Sequence, residues 1–187
     1  MAYAKELPED VLMGFASNIA EHLSGLKNIS SSSPSVIELG ETFEVWMLGK
    51  DKIMDQGNDV RSLAHNTHHL YHQLFLDGKP EGFARSKQSG TDPDKWEFAS
   101  LFLAPLAGEI DKAISWVDDN FKTDSQVVLL SVPTYFLHAL WLMNDTDHFL
   151  LASFPPEYKF FQYRRFYDPE DFLDTLRRQN PIIGIIK

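Results

Sequence analysis

An α+β fold is predicted: a largely antiparallel sheet of about five to seven strands with three main helices, in a single domain. Three observations carry it. Apolar residues recur at a spacing of three to four in separate stretches, as on the buried face of a helix. Between these lie short runs of aromatic and branched apolar residues bounded by turn residues, as in strands. Asp77-Gly78-Lys79, set between two such runs, has the chemistry of a tight hairpin.

The elements follow in order. Pro8-Glu9-Asp10 suits a first helical turn, where proline loses no hydrogen bond and acids meet the positive helix end. Leu12, Phe15, Ile19, Leu23 and Leu26 then predict a helix over about 8–27. Asn28 to Ser35 reads as a polar linker. Residues 42–48 predict a strand, 49–51 a turn and 54–59 a loop. Residues 68–76 and 81–87 flank the hairpin turn, and 88–95 are a polar loop.

Residues 96–103 predict a strand ended by Pro105. Leu106, Ile110, Ala113, Ile114, Val117 and Phe121 form the cleanest helical stripe in the chain. Its end, Asp118-Asp119-Asn120, is electrostatically poor and must be held by packing. Residues 126–132 predict a buried strand that Pro133 interrupts with a bulge or an edge and 135–143 resumes. Asn144 to Asp147 is a turn, and 148–154 returns as a strand up to Pro155-Pro156. Asp168-Pro169-Glu170-Asp171 opens a last helix, with Asn180-Pro181 stopping it. The tail, with Ile182, Ile183, Ile185 and Ile186, is apolar enough for a final strand, a partner contact or self-association.

Bulk composition narrows the function. A formal charge of −10 repels phosphate backbones and anionic lipid, so no nucleic-acid or membrane role is expected. The absence of cysteine excludes disulfides, thiol catalysis and cysteine metal sites. No signal-peptide pattern opens the chain, and a cytoplasmic protein is expected. The chain is rich in aromatics, with fourteen Phe, which suits a thick core or a ligand surface.

His65, His68, His69 and His72 fall within eight residues. Were residues 59–75 a helix, His65/His69 and His68/His72 would be i,i+4 pairs able to share a zinc, nickel or copper ion. A third ligand, such as His148, Asp147 or Glu81, would still be needed. Were residues 68–76 a strand, His68 and His72 would stand roughly 13 Å apart and could not grip one ion. The downstream hairpin and the weak helix formers Asn, Thr, His and Tyr favour the strand.

Residues 158–167, with Tyr163, Arg164 and Arg165 among them, interleave rings with cations, a composition shared by single-strand nucleic-acid binders that the net charge disfavours here. It suits a carboxylate or phosphate ligand, or else a loop or strand pinned by its rings with Arg164 and Arg165 paired to local acids. His138 and Trp141 lie on a strand apolar on both sides, where a histidine is either a bonded core residue or a base in an aromatic pocket. The chain has no GxSxG, GxGxxG, P-loop or HExxH motif. The expectation is a non-enzymatic protein that binds a protein partner or a small apolar-anionic ligand through Arg164, Arg165, Tyr163, His138 and Trp141. No cofactor is expected. The alternative is a metal-dependent enzyme whose divalent ion, such as zinc, sits on the histidine cluster.

Overall fold

The structure, a computed structural model, describes residues 2–5, 9–25, 36–55, 57, 59–90 and 95–179. The linker 28–35 and the apolar tail 181–187 lie outside the described residues, as do Pro8 and Leu26. The fold is α+β with a mixed sheet. Its contacts divide the chain into two compact units: residues 4–44 with 68–111, and residues 1–3 with 45–67 and 112–187.

The unit formed by 4–44 and 68–111 holds helix α1 (Glu9–Gly25), most of strand β2 (Ile37–Met47) and of β3 (His65–Leu76), then β4 (Lys79–Gln88) and β5 (Trp96–Leu103). Strands β3, β4 and β5 form an antiparallel meander. The β3–β4 reversal is the predicted hairpin: Asp77 (φ 51°) and Gly78 (φ 76°) both take positive φ, as the turn matching strand twist requires. Phe15, Ile19 and Leu23 of α1 pack on Leu74 and Ala84, with Phe98 and Leu101 at the margin. On the other face Tyr71, Phe83 and Phe102 meet ring to ring, with centroids 5.3–5.7 Å apart. A Cβ on Gly82 would overlap the Phe102 carbonyl, so β4 and β5 approach this closely only because residue 82 is glycine.

The other unit centres on β6 (Ser125–Val132), β7 (Leu137–Met143) and β8 (His148–Ser153), which pair antiparallel. A short β9 (Phe166–Tyr167) adds to β8. On the far side of β6, β1 (Ala2–Tyr3) and the end of β2 pair parallel to it. Alternate residues Val128, Leu130 and Val132 join Leu137, Ala139 and Trp141 in a core. Helix α5 (Pro169–Arg178) covers that core with Phe172, Leu173 and Leu176. Phe172 stacks flat on Phe149 of β8, with centroids 4.5 Å apart.

Asp168 caps α5 as predicted, its carboxylate accepting from the Asp171 amide at 2.8 Å. At the other end Arg177 donates to the carbonyls of Ile53, Asp55 and Gly57, which ties α2 (Lys50–Ile53) and the loop after it to α5.

Helix α4 (Leu106–Asn120) follows the predicted stripe; Ile110, Ala113 and Val117 are buried. Its acidic C-terminus is relieved locally. Lys122 Nζ donates to the Asp118 carbonyl at 2.9 Å, and Asn120 Nδ2 to the Trp116 carbonyl at 2.8 Å.

The described residues hold seven strands of six residues or more, within the expected five to seven, and add the two-residue β1 and β9, too short to show a pattern. Two expectations need correction. Pro133 does not bulge a continuing strand: it opens a single 3₁₀ turn, Pro133–Tyr135, that reverses the chain so that β7 pairs back on β6. Phe136 closes that turn in the left-handed region (φ 48°) and is 56% exposed, so it is no part of the apolar strand face expected for 135–143.

Candidate functional site

The histidine run belongs to the long strand β3 and not to a helix. Within residues 59–75 only Val60–Leu63, a short α3 capped by Asp59, is helical. His72 is fully buried. Its Nδ1 lies 2.9 Å from Thr42 Oγ1 and its Nε2 2.8 Å from Ser86 Oγ, with the Phe15 ring centroid 5.1 Å away. A neutral imidazole satisfies both hydroxyls, donating to one and accepting from the other. Burial among these neutral groups lowers its pKa to about 4.

His69 is partly buried and sits beside Lys87 and Arg85, and its pKa is also lowered, first by burial and then by those cations. His65 and His68 are exposed, and His68 (φ 56°) breaks the regular pleat. Two of the three suggested third ligands are engaged elsewhere. Asp147 is buried and accepts from Arg61 Nε at 2.8 Å and Nη2 at 2.6 Å. His148 Nδ1 donates to the Thr146 carbonyl at 2.7 Å, and Glu81 is exposed on β4. Among the described residues no three His, Asp or Glu side chains stand where they could hold one ion.

The ring-and-cation run forms a different kind of site. After β8, residues 155–165 fold over a cluster of buried rings. Phe154 and Phe161 lie 5.8 Å apart, Phe161 meets Tyr167 edge-on at 5.7 Å, and Tyr158 meets Tyr135 edge-on at 6.1 Å. The Tyr167 hydroxyl accepts from the Gln162 amide at 2.7 Å, which pins the loop from below. Burial raises the Tyr167 pKa, so that hydroxyl stays protonated through the neutral range.

On this platform Tyr163 stacks on Phe154 (4.2 Å, 29°) while remaining 56% exposed, and Phe160 is 55% exposed. Phe136, also exposed, directly follows Tyr135 of the same ring cluster. Arg165 bonds Asp171 at 2.5 Å and lies 4.7 Å over the Tyr167 ring. Arg164 stands in the left-handed region (φ 58°). Arg164 and Lys159 are exposed, with no acidic partner among the described residues.

Of the residues singled out from sequence, Tyr163, Arg164 and Arg165 are therefore brought together. Trp141 is fully buried, edge-on to Trp46 at 5.4 Å and packed on Phe149, outside the exposed patch. His138 is half-buried on β7. Ser131 Oγ stands 3.5 Å from its Nε2, and burial lowers its pKa. Lys159 and Phe160 belong to the ring-and-cation run read from the sequence, whereas Phe136 lies outside it.

An open cleft of about 590 Å³ lies elsewhere in the same unit, lined by Thr123, Ser125, Asn144, Asp145, Thr146 and His148 among others. Its wall is a self-bonded turn. Asn144 Nδ2 donates to Ser125 Oγ at 2.6 Å, and Asn144 Oδ1 accepts from the Thr146 amide at 2.7 Å. No helix among the described residues is long and apolar enough to cross a membrane. Comparison with protein-family models, with curated proteins and with solved structures found no match.

Proposed function

We propose that the chain is a non-enzymatic, cytoplasmic binding protein that holds a protein partner or a small apolar-anionic ligand on the 159–165 loop. The observation that carries the reading is the exposed pair Tyr163 and Arg164 on a rigid aromatic base. A ring whose lower face is already stacked, at 4.2 Å on Phe154, loses little freedom when its upper face is covered. An arginine beside it supplies planar, permanently charged donors for a carboxylate. Tyr and Arg are the side chains that most often dominate binding surfaces.

Backbone cost supports the same reading. A bulky residue in the left-handed region carries about 1–2 kcal/mol of strain, and such strain collects where an unusual side-chain direction is used. Arg164 carries it within the loop, and Phe136 carries it directly after Tyr135, whose ring meets Tyr158.

The test is a titration of ¹⁵N-labelled protein with aryl carboxylates such as phenylacetate and indole-3-acetate. Amide shifts confined to residues 159–165, and abolished in Tyr163→Ala, are expected. Shifts that instead scatter over the molecule, or none at all up to millimolar ligand, would refute the assignment of this loop to a small ligand.

A further inference from the structure

We infer that the natural occupant of this loop is an extended segment of a protein with an apolar centre and carboxylates at both ends, an inference that rests on the reading above. The order of side chains sets the pattern. Lys159 and Arg164 stand at the two ends of a six-residue stretch, and Phe160 and Tyr163 stand between them. All four are exposed, while Phe161 turns inward. A complementary chain therefore places apolar side chains over the two rings and one acid against each cation.

Charge supports an acidic partner. Lys159, Arg164 and Arg165 outnumber Glu157 in residues 155–165, although the chain as a whole carries −10. Arg165 is already engaged by Asp171, which leaves Lys159 and Arg164 as the cations with no acidic partner among the described residues.

The same contrast selects among anions. A long polyanion or an anionic lipid surface extends past two cations into the field of a chain with net charge −10, and is repelled there. A short acidic segment meets the two cations and ends. Small-molecule sites enclose most of their ligand in a cavity. Here Phe160 and Tyr163 are each more than half exposed, a surface arrangement suited to a chain laid across it.

The experiment is fluorescence polarisation on the full chain with a fluorescein-labelled peptide of sequence Glu-Glu-Leu-Phe-Leu-Glu-Glu. Its glutamine-flanked counterpart, oligo(dT) and phosphatidylserine vesicles are run beside it. The acidic peptide is expected to bind at least about tenfold tighter than the glutamine peptide, with affinity falling as salt rises. Lys159→Glu/Arg164→Glu should lose about tenfold or more. The charge-matched Lys79→Glu/Arg178→Glu, which alters cations outside the loop, should bind as wild type. Tyr163→Ala should weaken both peptides, and circular dichroism checks that each variant is folded.

Equal binding of the two peptides, or equal loss in both charge variants, overturns the inference. So does loop-dependent binding of only the oligonucleotide or the vesicles. If aryl carboxylates move the 159–165 amides while no peptide binds, the site stands and the extended partner falls. If neither moves them, both readings fall.

Discussion

Acid should destabilise this protein through His72, well above the pH at which carboxylates titrate. The ring is fully buried between Thr42, Ser86 and Phe15, and its pKa is lowered from 6.5 to about 4. The folded state therefore favours the neutral ring. Between about pH 6.5 and 4 the unfolded chain binds a proton there that the folded chain does not, so stability rises with pH across that window and is lost as pH falls through it.

At about 1.4 kcal/mol per pH unit, the full span is worth roughly 3 kcal/mol, of which about 2 is gone by pH 5. Other groups titrate as well, so the comparison is with His72→Gln, whose amide can bond both hydroxyls and does not ionise. Urea unfolding followed by circular dichroism at a series of pH values gives each stability. The wild-type advantage over His72→Gln should shrink by roughly 3 kcal/mol from neutral pH to about pH 4. Parallel pH dependences would refute the reasoning. So would an imidazole ¹⁵N spectrum showing His72 protonated at about pH 6, a readout that does not depend on the variant folding.

Other perturbations have definite outcomes. Arg61→Ala leaves the buried Asp147 carboxylate without its two-pronged partner. Because Arg61 is itself half exposed, the expected loss is about 2 kcal/mol rather than that of a fully buried pair, measured by urea unfolding. Gly82→Ala forces a methyl into the Phe102 carbonyl and should cost about 2 kcal/mol or more, seen as a drop in Tm of several degrees; an unchanged Tm would show that β4 and β5 separate freely. Arg164→Gly removes left-handed strain and should stabilise the fold by roughly 0.5–1 kcal/mol while weakening the acidic peptide, whereas stability gained with binding intact would mean the strain serves something else.

Local chemistry was legible wherever a residue type alone dictates backbone geometry. Asp77-Gly78 and Asp168-Pro169 were read correctly because positive φ and helix capping are properties of one or two residues. The α4 stripe was legible because its periodicity repeats over several turns. The β6–β7 reversal was not, since its left-handed position is filled by Phe136, a residue that announces no turn.

The role of His72 was hidden for another reason: its partners lie 30 and 14 positions away, and no local pattern reports them. Of the candidate site, the clustering of Tyr163, Arg164 and Arg165 followed from adjacency. Which of the three stays available did not, because that depends on Asp171 reaching back across a turn.

The way the chain is shared between its two compact units bears on its birth at the ribosome. The unit of residues 4–44 and 68–111 has its whole chain once Asp111 is made, whereas the other must keep residues 45–67 waiting until 112–187 arrive. At typical synthesis rates of about 5–20 residues per second, that wait is on the order of 6–24 s. During it Trp46, Leu48, Ile53 and Val60 lack the strands and the helix that bury them in the finished protein. Nascent chains stalled between these points should therefore recruit hydrophobic-segment chaperones that the folded unit does not need.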